Sequence, residues 1–426
     1  MHVPEQRELP ARDVVVVGGG IVGLSVAWRA ARAGLTVTVL DPSPGDGATH
    51  AAAGMLAAVT EADFGEEHLT RLNLASAARW PAFAADLAAA SGQDVGLQRR
   101  GTLAVAYDRD DLAVLRRVLA LHRRWGLASA EVPVAEARRR EPFLGPRLAG
   151  AALVDGDRAV DPRAVHAALT RALVHADGRA GSRAGGGALV RRAAVRLEQD
   201  HAGRVVAVHD DAGGRHTAGA VVLATGTPRD DTLLDGVPGV RLPVRPVKGL
   251  TLRLDAGPGL TPEHVVRGIV QGRPVYVVPR PAGTGTGPGS GPEHREVVVG
   301  ATSDERPDDR RAEAGSVFSL LRDARALVPG LDEAALVDVT PRARPATPDN
   351  LPLIGATAVP GLLAATGHGR NGVLLAPLTA DAVLAALTDG GVPLRLPADA
   401  PADLLGAADP RRFATTTRRA PEGAPA

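Results

Sequence analysis

A chain of 426 residues with 45% hydrophobic content is long enough to bury two or three cores, and a formal net charge of +1 with scattered basic residues argues against a nucleic-acid or other polyanion-binding surface. The absence of cysteine excludes disulfides, thiolate nucleophiles, cysteine-ligated metals and cysteine-tethered cofactors, so redox chemistry has to come from a bound group. Arginine outnumbers lysine 48 to 1, which reads as compositional bias and sets the single lysine, Lys248, apart.

Residues 1–12 lack an apolar signal-peptide core, and the apolar stretch 14–28 is interrupted by glycines. Neither a signal peptide nor a membrane span is predicted, and the cytoplasm is the expected compartment. That stretch carries the strongest local pattern. Four valines lead into Gly18, Gly20, Ile21, Val22 and Gly23, and the next apolar run, 37–40, closes on Asp41. Strand, tight turn, helix and strand follow, the signature of a dinucleotide site. Gly18 permits the turn, Gly20 lets backbone approach a pyrophosphate, Gly23 lets helix and sheet pack closely, and Asp41 accepts from ribose hydroxyls.

Small residues at 46–55, ending in Ala52, Ala53, Gly54 and Met55, fit either a flat wall against a planar cofactor or an ordinary helix start. Helices are predicted around Leu69, Leu72, Ala75 and Ala78, over 112–125, and from Asp161-Pro162-Arg163 to about His175; a strand is predicted over 101–106. Short strands at 193–197 and 205–208 form a meander, and 220–224 is a buried strand ending at Thr225-Gly226, a second turn able to lie beside the same ligand. From 242 to 344 the pattern becomes β-rich, with strands at 251–254, 275–278, 296–300 and 336–340. Residues 179–187 and 281–294 read as Gly-rich insertions. The segment 352–387 returns to α/β character, with a strand near 362–365 and a helix from about Pro377.

Together with the first motif and Asp41, the segments AAAGML (51–56), PVKG (246–249), YVVPR (276–280), RPATPDNLPLIG (344–355) and ATGHGRNGVLLAP (365–377) carry a resemblance to a known family. The chain resembles the glycine oxidase (ThiO) branch of the D-amino-acid oxidase family of FAD-dependent oxidoreductases over roughly residues 13–387. The resemblance implies an α/β fold: a discontinuous Rossmann-like, doubly wound FAD domain (11–95, 156–232, 346–390) interleaved with an antiparallel β-rich substrate domain (96–155, 233–345), and loosely ordered tails at 1–10 and 398–426. It implies noncovalent FAD, held by the residues of the first motif, by Ala52 to Met55, Ala194, Thr225 and Gly226, and by Gly367, His368, Arg370, Asn371, Gly372 and Val373. No metal is expected.

The same resemblance assigns Arg344 to the substrate carboxylate, for which a planar guanidinium fork is suited. It places Tyr276, one of two tyrosines, as a second donor; a core tyrosine on a half-buried sheet is the alternative. His368 and Arg370 border the site, the 366–372 turn directs N–H groups at the flavin pyrimidine, and Lys248 is expected near flavin or substrate. The implied activity is oxidation of glycine, or of another small amine or D-amino acid, to an imine that yields glyoxylate and ammonia, with dioxygen reduced to peroxide and thiamine thiazole assembly as the destination. A D-amino-acid or sarcosine oxidase or dehydrogenase, a nicotinamide-dependent dehydrogenase and a non-catalytic flavoprotein stay open as alternatives, as does homo-oligomer formation. Leu250, where relatives carry Gln or Glu, departs from the family pattern.

Overall fold

Alternation along Arg12–Val17 decides the first sheet. Val14 and Val16 point into one buried cluster and Val15 and Val17 into another, so this strand is covered on both faces. The computed structural model describes residues 7–8, 11–175, 187–227, 232–257, 259–280, 295–396, 401 and 403–414. Arg12–Val17 is the middle of five parallel strands, in the order Leu362–Thr366, Gly214–Leu223, Arg12–Val17, Val37–Leu40 and Gly187–Val190. Leu353–Ala356 adds an antiparallel edge. The amino-terminal half of Gly214–Leu223 continues into the expected meander with Val205–Asp210 and Ala194–Gln199. Helices Ile21–Arg32, Pro162–His175 and Gly372–Leu387 share one core cluster with Val14 and Val16, while the meander packs on the other face.

The β-rich half forms an eight-stranded sheet: Ala335–Ala346, Arg245–Asp255, Glu296–Gly300, Arg273–Pro279, Val265–Val270, Thr102–Ala106, Gly150–Val154 and Ala130–Val132. It is antiparallel except where Val265–Val270 meets Thr102–Ala106 in parallel. These two strands are far apart in the chain, so no hairpin dictates their relative direction. Helix Ala314–Leu327 backs one face through Leu320, Ala324 and Leu327. On the other face Tyr276, Val278 and Val298 pack against Ala53 and Met55, joining the two halves of the molecule.

Helix Arg109–Arg124 begins earlier than its apolar pattern suggests because Asp108 and Asp111 form a reciprocal cap. The last helix starts at Gly372 and contains Pro377, which was expected to open it. Proline is tolerated there because neighbours satisfy the disturbed backbone: the Leu374 carbonyl accepts from Ser76 Oγ (2.6 Å) and Trp80 Nε1 (3.0 Å), and Leu378 N donates to Ser76 Oγ (3.3 Å). The stretch Gly369–Leu387 is apolar and long enough to cross a bilayer by composition, but most of it is buried inside the fold. Residues 281–294, and all but Gly187 of 179–187, lie outside the described residues. The tail expected to be loose is docked over 403–414, where Arg412 donates to the Leu351 carbonyl (2.7 Å) and pairs with Asp349 (2.8 Å).

Gly23 fixes the closest approach in the first motif, since a Cβ there would collide with the Gly18 carbonyl. Gly23→Ala should cost about 2–3 kcal/mol of folding stability. Chemical denaturation of the apoprotein checks this, and a variant as stable as wild type would show that the turn has slack.

Candidate active site

A cavity of about 890 Å³ lies between the carboxyl ends of the parallel strands and the second sheet. Its size is within the range of about 300–1,000 Å³ typical of ligand clefts. Gly18 occupies a left-handed conformation (φ 113°), and a Cβ on it would strike the Ala224 carbonyl, so the first turn is locked to the strand that ends at the second turn. Gly20 differs. Its φ of −77° suits any residue, and a Cβ would meet only Thr49 Oγ1, at 3.4 Å. The freedom that glycine leaves there faces the cavity. Asp41 closes the loop by accepting from Gly19 N (2.7 Å) and Ser43 N (2.8 Å), and Thr49 Oγ1 accepts from Ile21 N (3.0 Å).

Gly18, Gly20, Ile21, Val22, Asp41, Ala52, Ala53, Gly54, Met55, Ala194, Thr225, Gly226, His368, Arg370, Asn371, Gly372 and Val373 all line this one cavity, together with Tyr276 and Arg344. Gly23 and Gly367 are not among the lining residues. Gly367 holds a turn (φ 73°) whose missing Cβ leaves room for the Thr347 methyl group. This segment holds a short helix, Ala48–Ala51, and Ala52 to Met55 after it line the cavity. Its carbonyls are held from the second sheet: Thr251 Oγ1 donates to Ala51 O (2.9 Å), and Arg280 donates to Ala53 O (2.7 Å) and Val160 O (2.9 Å).

Arg344 and Tyr276 each lie over a glycine. A Cβ on Gly249 would meet the Arg344 guanidinium, and one on Gly300 would meet the Tyr276 ring and hydroxyl. Glycine inside or at the end of a strand signals such close approach, and Gly249 and Gly300 carry that signal in the sequence. Arg344 Nη1 donates to the Thr302 carbonyl (3.0 Å), and the guanidinium has no carboxylate partner among the described residues. Burial raises the Tyr276 phenol above its ordinary pKa, against the pull of Arg344 and Arg267, so it stays a protonated donor.

Arg267 and Glu61, absent from the sequence reading, also line the cavity. Glu61 pairs with Arg267 on one side and with Arg370 Nε (2.8 Å) on the other, and Arg370 also pairs with Glu66. Nothing in local sequence distinguishes Glu61 from a surface glutamate; three chain segments bring this group together. His368 is buried, its Nε2 2.9 Å from Thr379 Oγ1, and burial pushes its pKa down to about 4. Lys248 is not beside the cavity. Its neighbours Val247 and Gly249 line it, so strand alternation turns the lysine to the opposite face, where Nζ meets Asp309 (2.6 Å) and Glu313 (2.8 Å).

A family model described as FAD dependent oxidoreductase (DAO) matches residues 13–386. The chain belongs to the DAO family of FAD-dependent oxidoreductases. Among relatives of this family, a glycine oxidase of Geobacillus kaustophilus (strain HTA426) is 34% identical over 372 residues, covering 86% of this chain and 90% of that protein. A bifunctional protein ThiO/ThiG of Trichormus variabilis (strain ATCC 29413 / PCC 7937) is 32% identical over 87% of this chain, which spans about half (51%) of that protein. The crystal structure of glycine oxidase from Geobacillus kaustophilus superposes with a TM-score of 0.78 at 30% identity, covering 94% of this chain and 98% of that one. The cavity fits the family's cofactor. Helices Ile21–Arg32 and Gly372–Leu387 both open onto it, and neither N-cap residue, Gly20 or Asn371, caps its helix through a side chain. Thr49 Oγ1 takes Ile21 N, and the amino-terminal turns of the two helices, with their positive dipole ends, face one cavity from two places, suited to a pyrophosphate and to an electron-rich ring.

Two predictions follow from this geometry. Gly20→Ala should leave apoprotein stability unchanged and raise the FAD dissociation constant at least ~10-fold, or about 1.4 kcal/mol; unaltered FAD titration would remove Gly20 from the binding surface. His368 and His50, whose pKa burial also lowers to about 4, are neutral in the folded protein and protonate more readily when unfolded. Their contribution to stability is present above pH 6.5 and is lost as pH falls toward 4. Melting at pH 7.5 and 4.5 checks this: His368→Gln should lose less stability on acidification than wild type, and equal losses would contradict it.

Proposed function

We propose that this protein oxidises the C–N bond of glycine, releasing an imine that hydrolyses to glyoxylate and ammonia, with dioxygen as the final electron acceptor and hydrogen peroxide as its product. The observation that carries the reading is Arg344. It is a cavity guanidinium without a carboxylate partner among the described residues, whereas the nearby Arg267 and Arg370 are already paired with Glu61 and Glu66. The arrangement leaves one cation for one substrate carboxylate. The glycine oxidase and ThiO/ThiG relatives support the choice of substrate and a role in supplying thiamine thiazole assembly, and the cytoplasm is the compartment we propose.

Bound FAD supplies the acceptor for the electron pair and hydrogen leaving the substrate Cα. The chain's own residues do the rest by positioning. Arg344 takes the carboxylate in a two-point hydrogen bond, and Tyr276, kept protonated, donates to the same group, so the Cα–H bond is aimed by its neighbouring anion. The substrate amine enters as the ammonium and gives up a proton to solvent before the C–H bond breaks; the Cα hydrogen then leaves with its electron pair, so no side-chain base abstracts it. Gly372 and Val373 line the cavity at the start of their helix, whose positive end would stabilise negative charge on the bound cofactor.

Arg344→Lys keeps the charge and loses the fork, so kcat/KM for glycine should fall at least ~10-fold, or about 1.4 kcal/mol, with FAD content unchanged. An amino-acid panel read by peroxide release and by anaerobic flavin bleaching tests the proposal as a whole. Bleaching without peroxide would replace dioxygen by another acceptor, and failure of glycine to bleach the flavin would reject the substrate.

A further inference from the structure

The lysine that the catalytic reading leaves unused points to another role. Lys248 is 2% exposed, and both carboxylates on its ammonium come from one irregular segment, residues 301–313, that leaves strand Glu296–Gly300 and runs to helix Ala314–Leu327. Over 304–313 this segment reads DERPDDRRAE, with most residues exposed. So charged a stretch has little apolar area with which to hold itself down. Nevertheless Ala301, Thr302, Ser303, Glu305, Asp308 and Arg310 line the cavity, which makes the segment a strap along it.

Polar contacts fasten the strap along its length. At its start Leu250 N donates to Thr302 Oγ1 (3.0 Å) and Arg344 donates to Thr302 O. Lys248 and Asp304 exchange backbone hydrogen bonds (2.8 and 2.9 Å), and Arg245 pairs with Glu305. Further on, Arg310 reaches out of the second sheet's half to Asp46 (2.5 Å), in the nucleotide loop between Gly45 and Gly47. Asp46 is shared with Arg342 (2.8 Å); burial alone would raise its pKa, but the hydrogen bonds from the two arginines outweigh that and hold it below the ordinary value. Arg310, Asp46, Arg245 and Glu305 are all substantially exposed, so screening weakens those fastenings. The lysine pairs differ on one side: the ammonium is shielded, while Asp309 and Glu313 stay partly exposed.

We propose that residues 301–313 form a clasp that retains the noncovalent FAD, with Lys248 as the positioning residue that shuts it and Arg310–Asp46 as its catch on the nucleotide loop. A buried ammonium needs its counter-charges, and among the described residues they come from Asp309 and Glu313 of the strap, so Lys248 converts closure into ion pairing. Lifting the strap pulls Asp309 off the ammonium and leaves Glu313, the N-cap residue of helix Ala314–Leu327 at the anchored end of the strap, to hold it alone. The compact ammonium, which takes two carboxylates at one point, explains why a lysine persists in a chain that otherwise uses arginine. The role uses no catalytic step and holds for any substrate of the family.

The test is the rate at which FAD leaves the holoenzyme at 25 °C, followed by the fluorescence of released flavin after dilution. Lys248→Met should speed release at least ~10-fold, and the double variant Asp309→Asn/Glu313→Gln, on half-exposed side chains, should do the same with an unchanged circular dichroism spectrum. Because all three groups make one latch, the triple variant should release FAD no faster than Lys248→Met alone. Arg310→Ala should also speed release, more at low salt than at high. Release within twofold of wild type in the folded double variant would overturn the proposal, as would a triple variant whose effects multiply; a merely structural lysine predicts lower melting temperatures with wild-type FAD release.

Discussion

The Arg280 guanidinium is the contact on which the geometry of this molecule depends. It sits in the interior at the end of strand Arg273–Pro279, beside Glu296, and donates to the carbonyls of Ala53 and Val160 across the boundary between the two sheets. Gly54 completes the junction: its left-handed conformation (φ 77°) brings its carbonyl to Val160 N (2.9 Å), and a Cβ would collide with Val160 O. Tyr276, four residues before Arg280, is on the same face of the same strand. This strand and the residue that follows it therefore carry both Tyr276, which lines the cavity, and Arg280, which holds the Ala53 wall of the same cavity, and their spacing is set by strand pleat. Stripping a buried charge of its acceptors is costly, which makes this junction hard to shear.

The parts of this arrangement that could be read in the sequence are those in which a local rule and a ligand requirement coincide. The valine run, the glycines at 18, 20 and 23, and Asp41 form one such set, and the structure separates their duties: Gly18 and Gly23 answer to protein atoms, Gly20 to the cavity. The helix start at Asp161 follows from a side-chain cap within a few residues, whereas the apolar pattern placed the earlier helix from 112 and missed the cap of the same kind at Asp108. What stayed hidden depends on contacts between distant segments. Pro377 looked like a helix start because the rescue of its helix comes from Ser76 and Trp80, some 300 residues away in the chain. Glu61 looked like any exposed acid because both its arginine partners are remote. Lys248 was singled out by composition, which is blind to direction; two-residue alternation from Gly249 gives its orientation once Gly249 is seen to face the cavity.

Charge is used sparingly at the cavity in spite of the arginine-rich composition. Around it Arg267, Arg370, Arg342 and Arg310 are each tied to Glu61, Glu66 or Asp46, so their fields are cancelled within hydrogen-bond distance. Tyr276 is kept neutral by the same burial that keeps His368 neutral. Among the described residues, Arg344 thus stands in the cavity without a carboxylate to neutralise it.

That guanidinium is also immobilised before any ligand arrives. Gly249 forms a floor directly under its plane, and the Thr302 carbonyl holds one N–H, so two protein contacts restrict the orientation of the fork. Freezing a flexible cationic side chain on association costs about 0.5–1.5 kcal/mol. The best very small ligands gain at most about 1.5 kcal/mol per heavy atom, so a molecule with only a handful of atoms has little binding energy to spend on ordering its receptor. Gly249 thus matters as an entropic element: the smaller the molecule to be held, the more of its binding site has to be stationary in advance.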